Sequence, residues 1–302
     1  TFALIRGVCR KLKVMGCAIG GFNAAVTSRV LGGSGLSSSA AFEVLLVCIL
    51  DGLYNDSIID GVTRAKISQW VENEYFGKPS GLMDQSACSI GGLVGIDFKN
   101  ADPKIEAYFF DFEARGFNVV VLATNSSHDD LTDEYASIPA EMKAVAAALG
   151  GKVLRQFKVQ QLIEKLPEVR EKTSDRAVMR ALHYYDENER VKACYQAIEE
   201  GNLDAFLQNI VLSGESSWKM LQNLYVGGKC EQSLALACAL SERMLKGSGA
   251  WRVHGGGFAG TILAFVPHYK LDAYVQQMDA VFGKGACTVL GIRPVGAKKV
   301  EL

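Results

Sequence analysis

The sequence has 302 residues, 49% hydrophobic and 22% charged, enough apolar material for one large core or two ordinary ones. Its 32 basic and 33 acidic side chains leave a net charge of -1, which argues against nucleic acid as a partner held by a strong electrostatic field. No apolar run is long enough to span a bilayer and no leader pattern stands out, so the expected location is the cytoplasm, with no membrane partner.

The chain opens with "TFALIRGVCRKLKVMG", whose spacing predicts an amphipathic helix with Phe2, Ile5, Val8, Cys9 and Leu12 on one face. Nothing ahead of Thr1 covers that face, and the chain is expected to be a fragment or to have lost an N-terminal segment. Residues 22–30, "FNAAVTSRV", alternate as a strand does. "TRAKISQWVENEYFG" (63–77) predicts a helix closed by Gly77 and Pro79, and "SGLMDQSACSIGG" (80–92) a loop with a short helical segment. "GLVGIDF" and "KIEAYFFDF" predict a hairpin, and "FNVVVLATNSS" (117–127) a strong strand. From Thr132 to about Gly247 the pattern is mainly helical. The chain then runs strand, glycine turn, strand, helix, strand, a split α+β arrangement. The expected boundary lies near residue 130, giving domains 1–130 and 131–302.

Eight cysteines without a C-x-x-C pair, most of them inside apolar runs, read as buried free thiols. Four scattered histidines give no zinc spacing.

Three segments carry candidate chemistry. In "VLGGSGLSSSAAFEVLLVCIL" (30–50), Gly32, Gly33 and Gly35 permit close backbone approach, and Ser37, Ser38 and Ser39 offer hydroxyls and amides. The helix that follows presents unpaired N–H groups and its positive dipole end. Together these suit a phosphate, and a serine hydroxyl can ligate Mg²⁺. The plainer alternative is a serine N-cap after a flexible turn. No G-x-x-x-x-G-K-[ST] motif occurs.

In "GKPSGLMDQ" (77–85), Asp84 is placed to accept a proton from a substrate hydroxyl or to orient it; the alternative is a helix cap. Glu72 and Glu74 precede it on a helix, and one of them can complete an Mg²⁺ site with a serine; the alternative is a solvated surface. "GGGFAG" (255–260) matches G-x-G-x-x-G in form, but the β-branched "TILAFV" after it predicts a strand and not the helix of a dinucleotide fold. It is either a tight turn or a backbone loop that closes over phosphate or sugar.

Taken together, "GSGLSSSAAFEV", "ENEYFGKPSGLMDQ", "TNSSHDDLTDEY" (124–135) and "VHGGGFAGTILAFV" resemble, in order and spacing, the motifs of the GHMP small-molecule kinase superfamily, most closely the galactokinase family. The resemblance covers nearly the whole chain. It implies an α+β two-domain fold, with a ribosomal-S5-like first domain, incomplete at its N-terminus, and a ferredoxin-like second domain. It also implies MgATP-dependent phosphorylation of galactose to galactose 1-phosphate. By position, Gly33, Gly35, Leu36, Ser37, Ser38 and Ser39 would hold the ATP phosphates. Ser39 (or Ser38) and Glu72 would hold Mg²⁺, and Asp84 would be the catalytic carboxylate. Gly81, Asp84 and Tyr135 would meet the sugar, and Gly255, Gly256 and Gly257 would support the phosphate and substrate side.

The sequence departs from the family pattern in places. The Gly-Glu-His-Thr-Asp-Tyr sugar motif and the catalytic arginine of the family are not among these residues, Leu31 stands where the family usually has Pro, and "ASIPAEM" follows Tyr135 in place of an arginine pair. The expectation is a galactokinase whose 302 residues alone are inactive or weak, with the N-terminal segment as a further partner. The alternatives are a GHMP kinase for another acceptor and a non-catalytic, galactokinase-like ligand sensor.

Overall fold

The computed structural model describes residues 2–28, 37–77, 80–124, 126 and 131–300. The chain divides into two compact units, one running to Phe110 and resuming at Ile292, the other Asp111–Gly291. The boundary therefore falls ahead of the expected residue 130. Phe117–Ala123 is a central strand of the second unit's sheet, and a strand stays with the ladder that satisfies its backbone.

In the first unit, α1 (Phe2–Val14) buries Val8 and Leu12 completely, half-buries Ile5 and Cys9, and leaves Phe2 exposed. Beyond Phe2, the apolar face that seemed uncovered packs against Leu46, Val47 and Leu50 of α2 (Ser38–Tyr54), Ile67 of α3 (Gly61–Trp70), and Ile59 and Val71. Those residues lie far along the chain, so the cover is invisible in a local window. Asp60 caps α3 by accepting from the Thr63 amide at 2.9 Å and from Thr63 Oγ1 at 2.7 Å. α3 does not stop at Trp70 but widens into a π-helical turn, Val71–Tyr75. At Gly7, an added Cβ would lie 2.6 Å from Val71 Cγ1, so glycine lets α1 press against that turn.

Residues 17–28 form no strand. Among the described residues no ladder pairs with this stretch, and an alternating sequence without a partner strand keeps no β structure.

α4 (Met83–Ile90) leads into an antiparallel hairpin of β1 (Leu93–Asp97) and β2 (Lys104–Tyr108), as the pattern predicted. The returning tail is tied to the end of α4: Gly296 N–H donates to the Ile90 carbonyl at 2.9 Å and Ala297 N–H to that of Cys88 at 3.1 Å. Arg64 Nη1 holds the Ala297 carbonyl at 2.8 Å.

The second unit is built on β3 (Phe117–Ala123). Among the described residues, the α-helices that follow are α5 (Thr132–Ala148), α6 (Val159–Glu164), α7 (Leu166–Lys172), α8 (Asp175–Glu199), α9 (Leu203–Ser216) and α10 (Ser233–Leu245). Then come β4 (Ala250–His254), β5 (Thr261–Pro267), α11 (Leu271–Phe282) and β6 (Cys287–Leu290). The four strands pair antiparallel in the order β4-β5-β3-β6. Numbered within the unit, that is 2-3-1-4 with helices after the first and third strands, the β-α-β-β-α-β ferredoxin-like topology. Val120 and Leu122 alternate onto the face that packs Leu234, Ala237 and Cys238 of α10 and Tyr274 and Met278 of α11. Phe112, Phe206 and Phe265 form a separate aromatic cluster, with centroids 5.0 to 5.6 Å apart.

All eight cysteines are unpaired, as read from the sequence, but only Cys238 is fully buried and Cys230 is exposed. Burial pushes the Cys194 thiol up to about 11 and that of Cys238 to about 12. Among the described residues no helix is long and apolar enough to cross a membrane.

Candidate active site

In the first unit the serine run meets two carboxylates. Ser37 sits at the N-cap of α2 in the left-handed region, φ 58°, yet its side chain caps nothing. Its Oγ donates instead to Asp84 Oδ2. The plain N-cap alternative therefore does not describe Ser37. The first amides of α2 receive no side-chain cap from Ser37. Asp84, in turn, is not the cap of its own helix. That position is Leu82, and Asp84 lies inside the first turn of α4.

Ser39, one turn position further on, donates from Oγ to Glu72 Oε1 at 2.7 Å. Gln85 Nε2 donates to Glu72 Oε2 at 3.2 Å. Glu72 belongs to the π-helical turn and is only 3% exposed, so it is not a solvated surface residue. The π turn inserts one extra residue per turn, which re-aims the side chains it carries. Ser38 opens α2 and is exposed; it is Ser39, not Ser38, that pairs with Glu72. Gly81 is exposed, and a Cβ there would meet open space. Gly33, Gly35 and Leu36 lie outside the described residues.

A hydroxyl and a carboxylate are hard oxygen ligands of the kind Mg²⁺ takes, usually one or two from the protein and the rest from phosphate and water. Ser39 and Glu72 fit that role. Among the described residues no group of three or more acidic, histidine or cysteine side chains is arranged to hold a metal alone.

In the second unit the predicted glycine loop joins β4 to β5. It is a tight turn, with positive φ at Gly255, Gly257, Phe258 and Gly260. Tyr135, in the first turn of α5, donates its hydroxyl to the Gly257 carbonyl at 2.8 Å and packs edge-on against Phe258 at 5.5 Å. A Cβ on Gly256 would lie 2.8 Å from Tyr135 Cε1, so the ring rests directly on the loop backbone. Burial raises the Tyr135 phenol above its ordinary value and keeps it a donor. Thr124 Oγ1 donates to the Gly260 carbonyl at 2.8 Å, and Gly260 N–H donates to Ser126 Oγ at 3.0 Å. The Thr-Asn-Ser and glycine segments, read separately in the sequence, thus meet at one turn.

Several residues of these clusters escape sequence reasoning. Asn223, nine-tenths buried, donates from Nδ2 to the Gly256 carbonyl at 3.0 Å, and its own carbonyl accepts from Phe258 N–H. No local pattern marks it, because its partners are more than thirty residues away. Gln85 and Asn73 did stand inside quoted motifs, but nothing in their spacing says which groups they reach.

The model of the GHMP kinases N terminal domain matches residues 3–92. The galactokinase of Clostridium tetani is 26% identical over 96% of this chain and 71% of its own length. The galactokinase of Streptomyces coelicolor is 30% identical over 91% of this chain and 69% of its own, and that of Lactobacillus helveticus 30% over 87% and 66%. The chain therefore spans about two thirds to seven tenths of these relatives. Among solved structures, Lactococcus lactis galactokinase complexed with galactose superposes with a TM-score of 0.74 at 21% identity, covering 98% of this chain and 76% of its own. L. major mevalonate kinase in complex with R-mevalonate gives 0.58 at 16%, covering 98% and 78%. These matches carry the two-domain GHMP fold.

Proposed function

The chain belongs to the galactokinase family of the GHMP kinases, and on that premise we propose that it transfers the γ-phosphoryl group of ATP to a hydroxyl of galactose, giving galactose 1-phosphate. The observation that carries the reading is the pairing of the serine run with two carboxylates, Ser37 with Asp84 and Ser39 with Glu72.

The electrostatics favour a nucleotide bound with a cation. The uncapped start of α2 attracts phosphate, but Glu72 and Asp84 beside it repel a polyanion. A divalent cation on Ser39 and Glu72 removes that conflict, and when bound it supplies charge neutralisation for the phosphoryl oxygens. Asp84 has a separate task. Its carboxylate accepts the proton of the attacking sugar hydroxyl or orients that hydroxyl toward phosphorus. Ser37 holds one of its oxygens, so the acid group needs little reorganisation before it acts. In the second unit, Tyr135 and Gly255–Gly257 are assigned to the sugar and phosphate side.

The test is phosphoryl transfer followed by ³¹P NMR with ATP, Mg²⁺ and galactose, alongside Asp84→Asn of the same chain. The expected result is a sugar 1-phosphate, formed at most slowly by these 302 residues alone, with kcat lowered a further ~10²- to 10⁴-fold in Asp84→Asn and ATP affinity nearly unchanged. Transfer to another acceptor in preference to galactose would overturn the sugar assignment. ATP binding without transfer to any acceptor would favour a ligand sensor.

A further inference from the structure

Asn73 follows Glu72 in the π-helical turn Val71–Tyr75 but serves a different segment. Its Oδ1 accepts from the Ser80 amide at 2.6 Å and from Ser80 Oγ at 3.2 Å, and its Nδ2 donates to the Ser80 carbonyl at 3.1 Å. Gln69 Nε2, one turn earlier on α3, donates to the same carbonyl at 3.2 Å. One side-chain amide thus satisfies both backbone groups of one residue, a pairing that fixes position as well as orientation.

The clamp matters because of what lies just beyond it. Ser80 is four residues ahead of Asp84, and the helix that carries Asp84 has no side-chain cap. Leu82, buried at 2% exposure, anchors the segment in the core, but an apolar contact does not define a helix start to a few tenths of an ångström. Among the described residues, the side chains that hydrogen-bond to Ser80 are Gln69 and Asn73, with Gln85 Nε2 at 3.5 Å from Ser80 Oγ; further along, Ser86 Oγ donates to the Leu82 carbonyl at 2.7 Å from within α4 itself.

We propose that Asn73 is a positioning residue for Asp84: by clamping the backbone of Ser80 it fixes the uncapped start of α4, and with it the carboxylate that faces Ser37. Neighbouring residues of one π turn then set both halves of the chemistry, Glu72 toward the cation side and Asn73 toward the acceptor side. The proposal rests on the reading of Asp84 as the carboxylate that handles the acceptor hydroxyl.

Two measurements on Asn73→Ala test it. Without substrate, hydrogen exchange over residues 80–86 should speed up by at least ~10-fold, as expected for the loss of three hydrogen bonds, while β1 and β2 stay unchanged. With substrate, kcat should fall at least ~10-fold and KM for ATP should stay within ~2-fold, since misplacing a reacting group by about 1 Å costs up to ~100-fold. In the Asp84→Asn background the same substitution should cost nothing further, because Asn73 acts through Asp84. Asn73→Asp keeps an acceptor for the Ser80 amide and should retain more of kcat than Asn73→Ala. Unchanged exchange over 80–86 overturns the proposal, and so do kinetic losses that multiply in the double variant. A wild-type chain without turnover fails the galactokinase reading alone, and the exchange experiment still decides the clamp.

Discussion

Gly257 is the position in the glycine loop where substitution should cost most. Its φ is +86°, and an added Cβ would lie 2.1 Å from the Asn223 carbonyl oxygen and 2.6 Å from Asn223 Nδ2. The left-handed conformation alone costs an L-residue about 1–2 kcal/mol. The Asn223 carbonyl cannot withdraw freely, because it accepts from Phe258 N–H while its side chain holds the Gly256 carbonyl. Losing both bonds adds roughly 1–3 kcal/mol. Gly257→Ala should therefore destabilise the second unit by about 2–5 kcal/mol. At roughly 2–4 °C per kcal/mol for a domain of this size, Tm falls by about 4–20 °C. Gly255 is the internal control. Its φ is +71°, but no atom lies within 4 Å of its added Cβ, so Gly255→Ala should lose only the conformational part, about 1–2 kcal/mol. Urea unfolding and thermal melts of both variants check this. Equal losses at the two positions, or no loss at Gly257, would refute the collision argument.

Two further outcomes are expected. Calorimetry of ATP binding with and without Mg²⁺ should show the cation tightening binding in the wild type, and Glu72→Gln should shrink that gain about 10-fold or more; an unchanged gain removes Glu72 from the cation site. Asp60→Ala should cost about 1 kcal/mol at neutral pH through loss of the α3 cap. Hydrogen bonds from the Thr63 hydroxyl and amide hold the Asp60 carboxyl below the usual carboxylate range. Its stabilisation is therefore full above the unfolded pKa of about 4 and is lost as pH falls through the lower folded value. The gap between wild type and Asp60→Ala in urea midpoint should be present at pH 7 and close in acid; a gap that persists at the lowest pH contradicts the capping role.

The motif residues could be picked out in the sequence because each belongs to a local composition. Three serines after a glycine run, an aspartate after a Pro/Gly loop and three glycines before a β-branched run are unusual within a short window. Their partners could not be picked out. Ser39 and Glu72 are 33 residues apart, Ser37 and Asp84 47, and Tyr135 and Gly257 122. The same limit explains the two structural surprises. α1 looked uncovered because the residues that bury it lie 34 or more positions later, and residues 22–28 looked like a strand because alternation specifies a face but not a neighbour.

Local periodicity and turn chemistry determined most of the helices, the hairpin, the strand–turn–strand–helix–strand succession at the end of the chain and the identity of the charged and hydroxyl groups. Those features depend on residues within a few positions of one another, and the side-chain period of a helix or strand writes them directly into the chain. Tertiary structure alone decided that Ser37 reaches for Asp84 instead of capping its helix. It also decided that α3 widens into a π turn that brings Glu72 to Ser39 of α2 and Asn73 to Ser80, and that Asn223 braces the glycine loop. Each of these depends on which distant polar group is present to satisfy a hydrogen bond, and that is settled only when the chain has packed.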